Sequence, residues 1–135
     1  MAKKKGDHES GMRKRAVARA TASPGKGKII VNKRSLETID PEISRHLIME
    51  PLALAGETAE KLDFNVTVNG GGITGQASAA RQAIAKLLVK HNKALKKKFL
   101  DYDRSLLIAD VRRTEPHKPS RSSAGPRRHK QRSKR

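Results

Sequence analysis

The chain has 135 residues, no cysteine, three aromatic side chains and a formal net charge of +18. That length supplies one domain of ordinary size and not two, and the lack of cysteine excludes disulfides and cysteine-ligated zinc, which suits a reducing interior. The charge gathers at the ends: residues 1–28 are net +7, residues 29–110 net +2 and residues 111–135 net +9, while 26 Leu, Ile, Val, Phe and Met side chains lie between Ile29 and Ile108. Such a distribution describes a flexible basic N-terminal arm over 1–12, a globular domain over 13–110 and an extended basic tail over 111–135.

Met1 to Met12, MAKKKGDHESGM, has a basic start with no apolar run behind it, so no secretory signal is read there. From Lys14 to Ala22 the chain alternates, with Arg15, Val17, Arg19 and Thr21 on one side and Ala16, Ala18, Ala20 and Ala22 on the other. Period two predicts a strand. The turn-forming SPGKG, Ser23 to Gly27, and the β-branched Ile29, Ile30 and Val31 then complete an expected hairpin. Asp40 before Pro41 marks a helix start, with Asp as the cap and Pro at the first position. Ile43, Leu47 and Ile48 share a face of that helix, Glu50 and Pro51 are expected to interrupt it, and Gly56 is expected to stop the apolar segment that follows.

Leu62, Phe64, Val66 and Val68 point one way and Asp63, Asn65 and Thr67 the other, which predicts a strand with one core face and one wet face. Gly70, Gly71 and Gly72 connect it to a helix on which Ala77, Ala80, Ile84, Leu87 and Leu88 recur at helical spacing, while Arg81, Gln82, Lys86 and Lys90 project elsewhere. A second short helix starts near Lys93. The fold class is α+β, a two-layer sandwich of one sheet with helices on one face.

Chemistry is sparse. The glycines of NGGGITGQ precede a helix, as a phosphate cradle requires, but no G-x-x-x-x-G-K-[ST] motif is present. Gly70 to Gly72 either turn the chain or touch a phosphate, and one residue can do both. The five histidines show no metal-ligand spacing. Asp101 and Asp103 are assigned no role. Neither enzyme activity, nor a cofactor, metal or small-molecule substrate, is expected.

The arms carry the function. Residues 116–135 hold eight Lys and Arg, no acid and one aliphatic side chain, Ala124. Such a segment cannot offset the roughly 1–2 kcal/mol per residue of backbone entropy lost on ordering, so an outside partner must order it. Prolines 116, 119 and 126 bias it toward an extended form. Solubility would be served better by mixed signs, and a membrane binder would interleave aromatic or Leu side chains that the arm lacks. Nucleic acid fits best, held through phosphates, sugar hydroxyls and shape, because too few rings exist to stack bases. A chromatin-like DNA-binding architectural protein is the alternative, and an acidic-protein adaptor a third possibility.

The segments RKRAVARATASPGKGKIIVN, IMEPLALAG, VTVNGGGITGQASAARQAIAKLL and LDYDRSLLIADVRRTEPHKPSRSSAGPRRHKQRSKR together resemble family nine of the universal small-subunit ribosomal proteins, ribosomal protein S-nine, in its archaeal and eukaryotic-like branch. The resemblance runs from about Met12 to Arg135. It implies a sandwich like the second domain of ribosomal protein S-five, with a left-handed βαβ crossover where the usual hand is right. It also implies a cytoplasmic, ribosomal protein held in the head of the small subunit by the three-prime major domain of its rRNA, beside neighbouring head proteins. In that family the tail threads through rRNA and its last residues reach the anticodon stem-loop of tRNA in the peptidyl site. Carried over, rRNA contact falls on Arg13, Lys14, Arg15, Arg19, Lys26, Gly70, Gly71, Gly72, Arg81, Arg112, Arg113, Lys118, Arg121, Arg127, Arg128 and Lys130, and tRNA contact on Arg132, Ser133, Lys134 and Arg135.

Overall fold

Alternation builds the sheet. In the computed structural model, which describes residues 6–114, the strands are β1 (Asp7–Arg13), β2 (Ala16–Pro24), β3 (Ile29–Val31), β4 (Arg34–Ser35) and β5 (Leu62–Asn69). The helices are α1 (Glu42–Ala55), α2 (Glu57–Glu60), α3 (Ile73–His91) and α4 (Leu95–Tyr102), with single 3-10 turns at Leu36–Thr38 and Arg104–Leu106. Ala16, Ala18, Ala20 and Ala22 of β2 and Leu62, Phe64, Val66 and Val68 of β5 are all buried on one face of the sheet. The fold is α+β, as the period-two and helical patterns imply.

The strand order is β1-β2-β5-β3-β4, antiparallel throughout except where β3 runs parallel to β5. β3, α1 and β5 therefore form a βαβ unit. β2 and β3 do not pair, so the hairpin expected across Ser23 to Gly27 is not formed: β5 lies between its two arms. The loop's own bonding explains the split, because Gly25 N–H donates to the Lys61 carbonyl at 2.9 Å and the Asp63 carboxylate accepts from the N–H groups of Lys26 and Lys28, both at 2.9 Å. Those backbone donors hold the loop on the start of β5. The same two N–H groups, that of Lys28 first, lower the Asp63 pKa below its ordinary value.

α3 covers β1, β2 and β5, and α1 packs on α3. Close approach is possible because the contact is made of small residues: Ala79, Ala80 and Ala83 of α3 are fully buried. Gly11 of β1 is part of it, since a Cβ there would run into the Ala79 carbonyl and lie 2.7 Å from the Ala83 nitrogen. β1 takes up residues 7–12, which the charge pattern leaves in the N-terminal arm. Gln82, far from projecting outward, is buried and accepts the Met12 N–H at 2.8 Å, and the Lys86 ammonium donates to the Ser10 carbonyl at 3.0 Å. These two side chains of α3 bind the backbone of the sheet's edge strand.

α1 runs through Pro51 to Ala55 and is not interrupted there. Proline removes one helical donor, but its ring is fully buried and fills a core position. Gly56, at φ 60°, stops the helix, its N–H donating to the Leu52 carbonyl at 3.1 Å. Asp40 does not cap it: Pro41 holds the cap position without a side-chain bond, and the first turn closes through Ser44 N–H to the Pro41 carbonyl at 3.0 Å. Leu95 and Phe99 of α4, one turn apart, anchor that helix in the core.

Candidate nucleic-acid interface

One end of the sheet collects turns and cations. β1 and β2 join through Lys14 and Arg15, β3 and β4 through Asn32 and Lys33, and β5 runs out into Gly70 to Gly72 at the same end. Left-handed backbone gathers here: φ is 52° at Lys14, 48° at Asn32, 65° at Lys33, 78° at Gly70 and 66° at Gly71. Only short or adaptable residues hold such angles cheaply. Asn32 fixes the β3–β4 turn against β5, accepting the Val68 N–H at 2.8 Å and donating to the Val68 carbonyl at 3.3 Å.

Gly70 and Gly71 are packed against the β1–β2 turn. A Cβ on Gly70 would sit 2.6 Å from the Arg15 carbonyl, and one on Gly71 3.0 Å from the Ala16 Cβ. Both are therefore required by backbone angle and by close approach. Gly72 is different: a Cβ there meets nothing within 4 Å, and the residue caps α3 with no side-chain cap bond. α3 has no acid in its first turn, so its free N–H groups and partial positive charge face outward beside the glycines.

Arg15, Val17, Arg19, Thr67, Asn69 and Gly70 line a shallow groove of about 370 Å³ at this end of the uncovered sheet face. The geometry follows from the register, which places Val17 opposite Asn69 and Arg19 opposite Thr67. Two guanidiniums, a hydroxyl and a carboxamide thus line one groove. Among the described residues, no ion pair uses Lys14, Arg15, Arg19, Lys33 or Arg34. Cations left without internal partners at this density favour an external polyanion.

The other candidates divide. Arg13 and Arg112 both bind Asp110, the latter at 2.6 Å, and the Arg112 side chain stays 74% exposed. Two cations share one carboxylate, so a positive excess remains, with Arg113 exposed next to it. Arg81 is committed internally. Its side chain is 11% exposed, and the guanidinium lies 2.6 Å from Glu50 and 3.0 Å from Asp103 and donates to the Ser105 hydroxyl at 3.3 Å. Asp103, assigned no role from sequence, orders this corner. Burial raises its pKa, but the Ser105 N–H and hydroxyl and the Arg81 guanidinium outweigh burial and hold the carboxyl below its ordinary value. Lys26 lies at the far end of the sheet, beside the start of β5. Lys118, Arg121, Arg127, Arg128, Lys130, Arg132, Ser133, Lys134 and Arg135 lie outside the described residues.

Two groups of cations were missed. Lys33 lies in the β3–β4 turn at this end of the sheet, Arg34 follows it on the helix-covered side opposite Val31, and Lys93, Lys96, Lys97 and Lys98 stand exposed around the start of α4. Charge summed over residues 29–110 conceals both, because acids elsewhere in that stretch cancel them. The lysine run KALKKK is itself the sequence signal. Among the described residues no helix is long and apolar enough to cross a membrane.

The family model for ribosomal protein S9/S16 matches residues 11–135. Proteins named small ribosomal subunit protein uS9 from two strains of Methanococcus maripaludis are each 50% identical over 128 residues, covering 93% of this chain and 96% of theirs. The protein of the same name from Methanococcus vannielii is 49% identical over the same lengths.

Proposed function

The chain belongs to the ribosomal protein S9/S16 family, and from that premise we propose that it is a structural constituent of the small ribosomal subunit that binds rRNA in the subunit head. The family is a non-enzymatic part of the translation machinery. The observation that carries the rRNA reading is the sheet end where Arg15 and Arg19 share a groove with Gly70, with Lys14 and Lys33 in the turns at the same end and none of these four cations in an ion pair among the described residues. Guanidiniums fork onto phosphate oxygens, and Thr67 and Asn69 offer hydrogen bonds to sugar hydroxyls. Arg13, Arg112 and Arg113 extend the contact toward the tail. Gly70 and Gly71 serve by shaping the loop and Gly72 by leaving the α3 start open. Arg81 acts from behind, as a structural cation.

The finer assignments rest on the family resemblance: rRNA of the three-prime major domain, neighbouring head proteins, a left-handed crossover in the β3–α1–β5 unit, and a ribosome in the cytoplasm. The tail is assigned to rRNA through Lys118, Arg121, Arg127, Arg128 and Lys130, and to the anticodon stem-loop of peptidyl-site tRNA through Arg132, Ser133, Lys134 and Arg135.

The test is the salt dependence of binding to small-subunit rRNA. Arg15→Gln with Arg19→Gln should lower the slope of log affinity against log salt by about 2, one for each lost phosphate contact. An unchanged slope removes the groove from the interface. Deleting Ser133 to Arg135 should weaken peptidyl-site tRNA with assembly intact, and unaltered tRNA affinity would retire that assignment.

A further inference from the structure

α4 carries its charges the wrong way round. Lys96, Lys97 and Lys98 occupy the first turn, where the backbone dipole already presents positive charge, and there is no acid to balance them. Asp101 sits in the last turn, where no basic residue does. The N-cap is Ala94, which makes no side-chain cap bond. A helix of eight residues with both ends mismatched is held by its apolar anchors, Leu95 and Phe99, and not by its own electrostatics. Lys93, Lys96, Lys97 and Lys98 are all exposed, and none enters an ion pair among the described residues. Broken local rules of this kind mark functional surfaces.

The position of this cluster gives it meaning. α3 begins beside Gly70 to Gly72 and runs 19 residues, about 28 Å, to the opposite end of the sheet. There His91 meets Asp7 at 3.1 Å and Asn92 donates to the Thr58 hydroxyl at 3.3 Å, and α4 starts. The lysines and the Arg15–Arg19 groove are therefore held apart by a rigid helix. They differ in chemistry too: compact ammonium charges at one end, planar forks at the other.

We infer that Lys93, Lys96, Lys97 and Lys98 form a second, separate contact for an RNA phosphate backbone, so that the folded domain bridges two RNA segments that do not touch each other. The occupant is an RNA phosphate backbone because four exposed ammonium groups crowd one helix start with no acid in its first turn and no ion pair among the described residues, while the acid of α4, Asp101, and its one exposed ring, Tyr102, stand at the far end of the helix. This inference rests on the rRNA reading above and extends it to a second surface.

The test uses the full chain reconstituted into small subunits, with hydroxyl-radical footprinting of the rRNA. Changing all four lysines to Gln should erase one patch of protected nucleotides, leave the patch that Arg15→Gln with Arg19→Gln erases, and lower the salt slope by about 3. The fourfold change to Arg should keep the patch. Thermal unfolding of the Gln variant should be unchanged or improved, since the dipole mismatch is relieved; if it misfolds, Lys97→Glu alone makes the same comparison. Unaltered protection, loss of the same nucleotides in both variants, or crosslinks from the lysines to protein alone would each overturn the inference. Silence of the arginine variant as well would instead bring down the rRNA reading.

Discussion

Replacing Arg81 with Met retains the length of the side chain and removes the charge that joins α1, α3 and the turn after α4. The guanidinium holds Glu50 at 2.6 Å and Asp103 at 3.0 Å, and the side chain that carries it is only 11% exposed. Its loss leaves two carboxylates facing each other, and one Glu50 oxygen is fully shielded from water. A hydrogen bond to a charged group contributes about 1.5–3 kcal/mol, but the Asp103 side chain is 41% exposed and solvent takes up much of its share. The net cost is about 2–3 kcal/mol, which lowers the thermal midpoint of a domain this size by on the order of 10–20 °C. Adding Glu50→Gln should recover about 1 kcal/mol by removing one of the two unpaired charges. At a temperature where the Met variant is fully folded, its affinity for rRNA and its salt slope should equal those of the parent. A midpoint within about 3 °C of the parent, or a slope lowered by about 1 with stability intact, would refute the structural role and return Arg81 to the RNA surface.

Two further outcomes follow from contacts elsewhere in the domain. Gly11→Ala should destabilise by about 3 kcal/mol, at the upper end for overpacking, because the new methyl meets the backbone of α3; urea unfolding, with faster amide exchange in β1, checks it, and a neutral change would mean that α3 can shift. Asp63 has a lowered folded-state pKa, so its stabilising effect is present above its unfolded value near about 3.9 and is lost as pH falls through the folded value. The stability difference between the parent and Asp63→Asn should hold steady from about pH 7 to pH 5 and shrink below about pH 4; a gap independent of pH would show that the loop bonds do not need the charge.

What the sequence reveals of this fold depends on how each residue is buried. β5 and α3 are legible because their buried apolar residues recur at periods of two and 3.6, large ones on β5 and alanines with Ile84, Leu87 and Leu88 on α3. β1 is not, because its core-facing row is Asp7, Glu9, Gly11 and Arg13, and its one fully buried position is a glycine. Burial through absence of a side chain leaves no hydrophobic pattern. The partner of β2 was hidden for another reason: SPGKG is sound turn chemistry, but Asp63, 35 to 37 residues away, binds the loop and admits β5 between the arms. Local propensity is silent about a bond of that range. Pro51 misleads in the same way, since its cost to the helix is local and its gain in the core is tertiary.

The interface shows the same division between residue type and address. Arg15 and Arg19 are visible from sequence as cations on one face of a strand, and their spacing is enough to place them together. Lys33 and Arg34 come to that end only because Asn32 ties its turn to Val68, 36 residues on. Arg81 looks no different from them in the sequence, yet carboxylates from two other elements consume its charge. Charge content therefore identifies the class of partner, because a polyanion responds to the sum. Which cations reach that partner is decided by the acids the fold brings near each one, and net charge per segment averages over that pairing. Arg15 with no carboxylate and Arg81 with two are the two limits. Subtracting internal ion pairs among the described residues removes Arg81 from an RNA surface on this domain and retains, among other cations, Lys14, Arg15, Arg19 and Lys33 at one end of α3 and the four lysines around the start of α4 at the other.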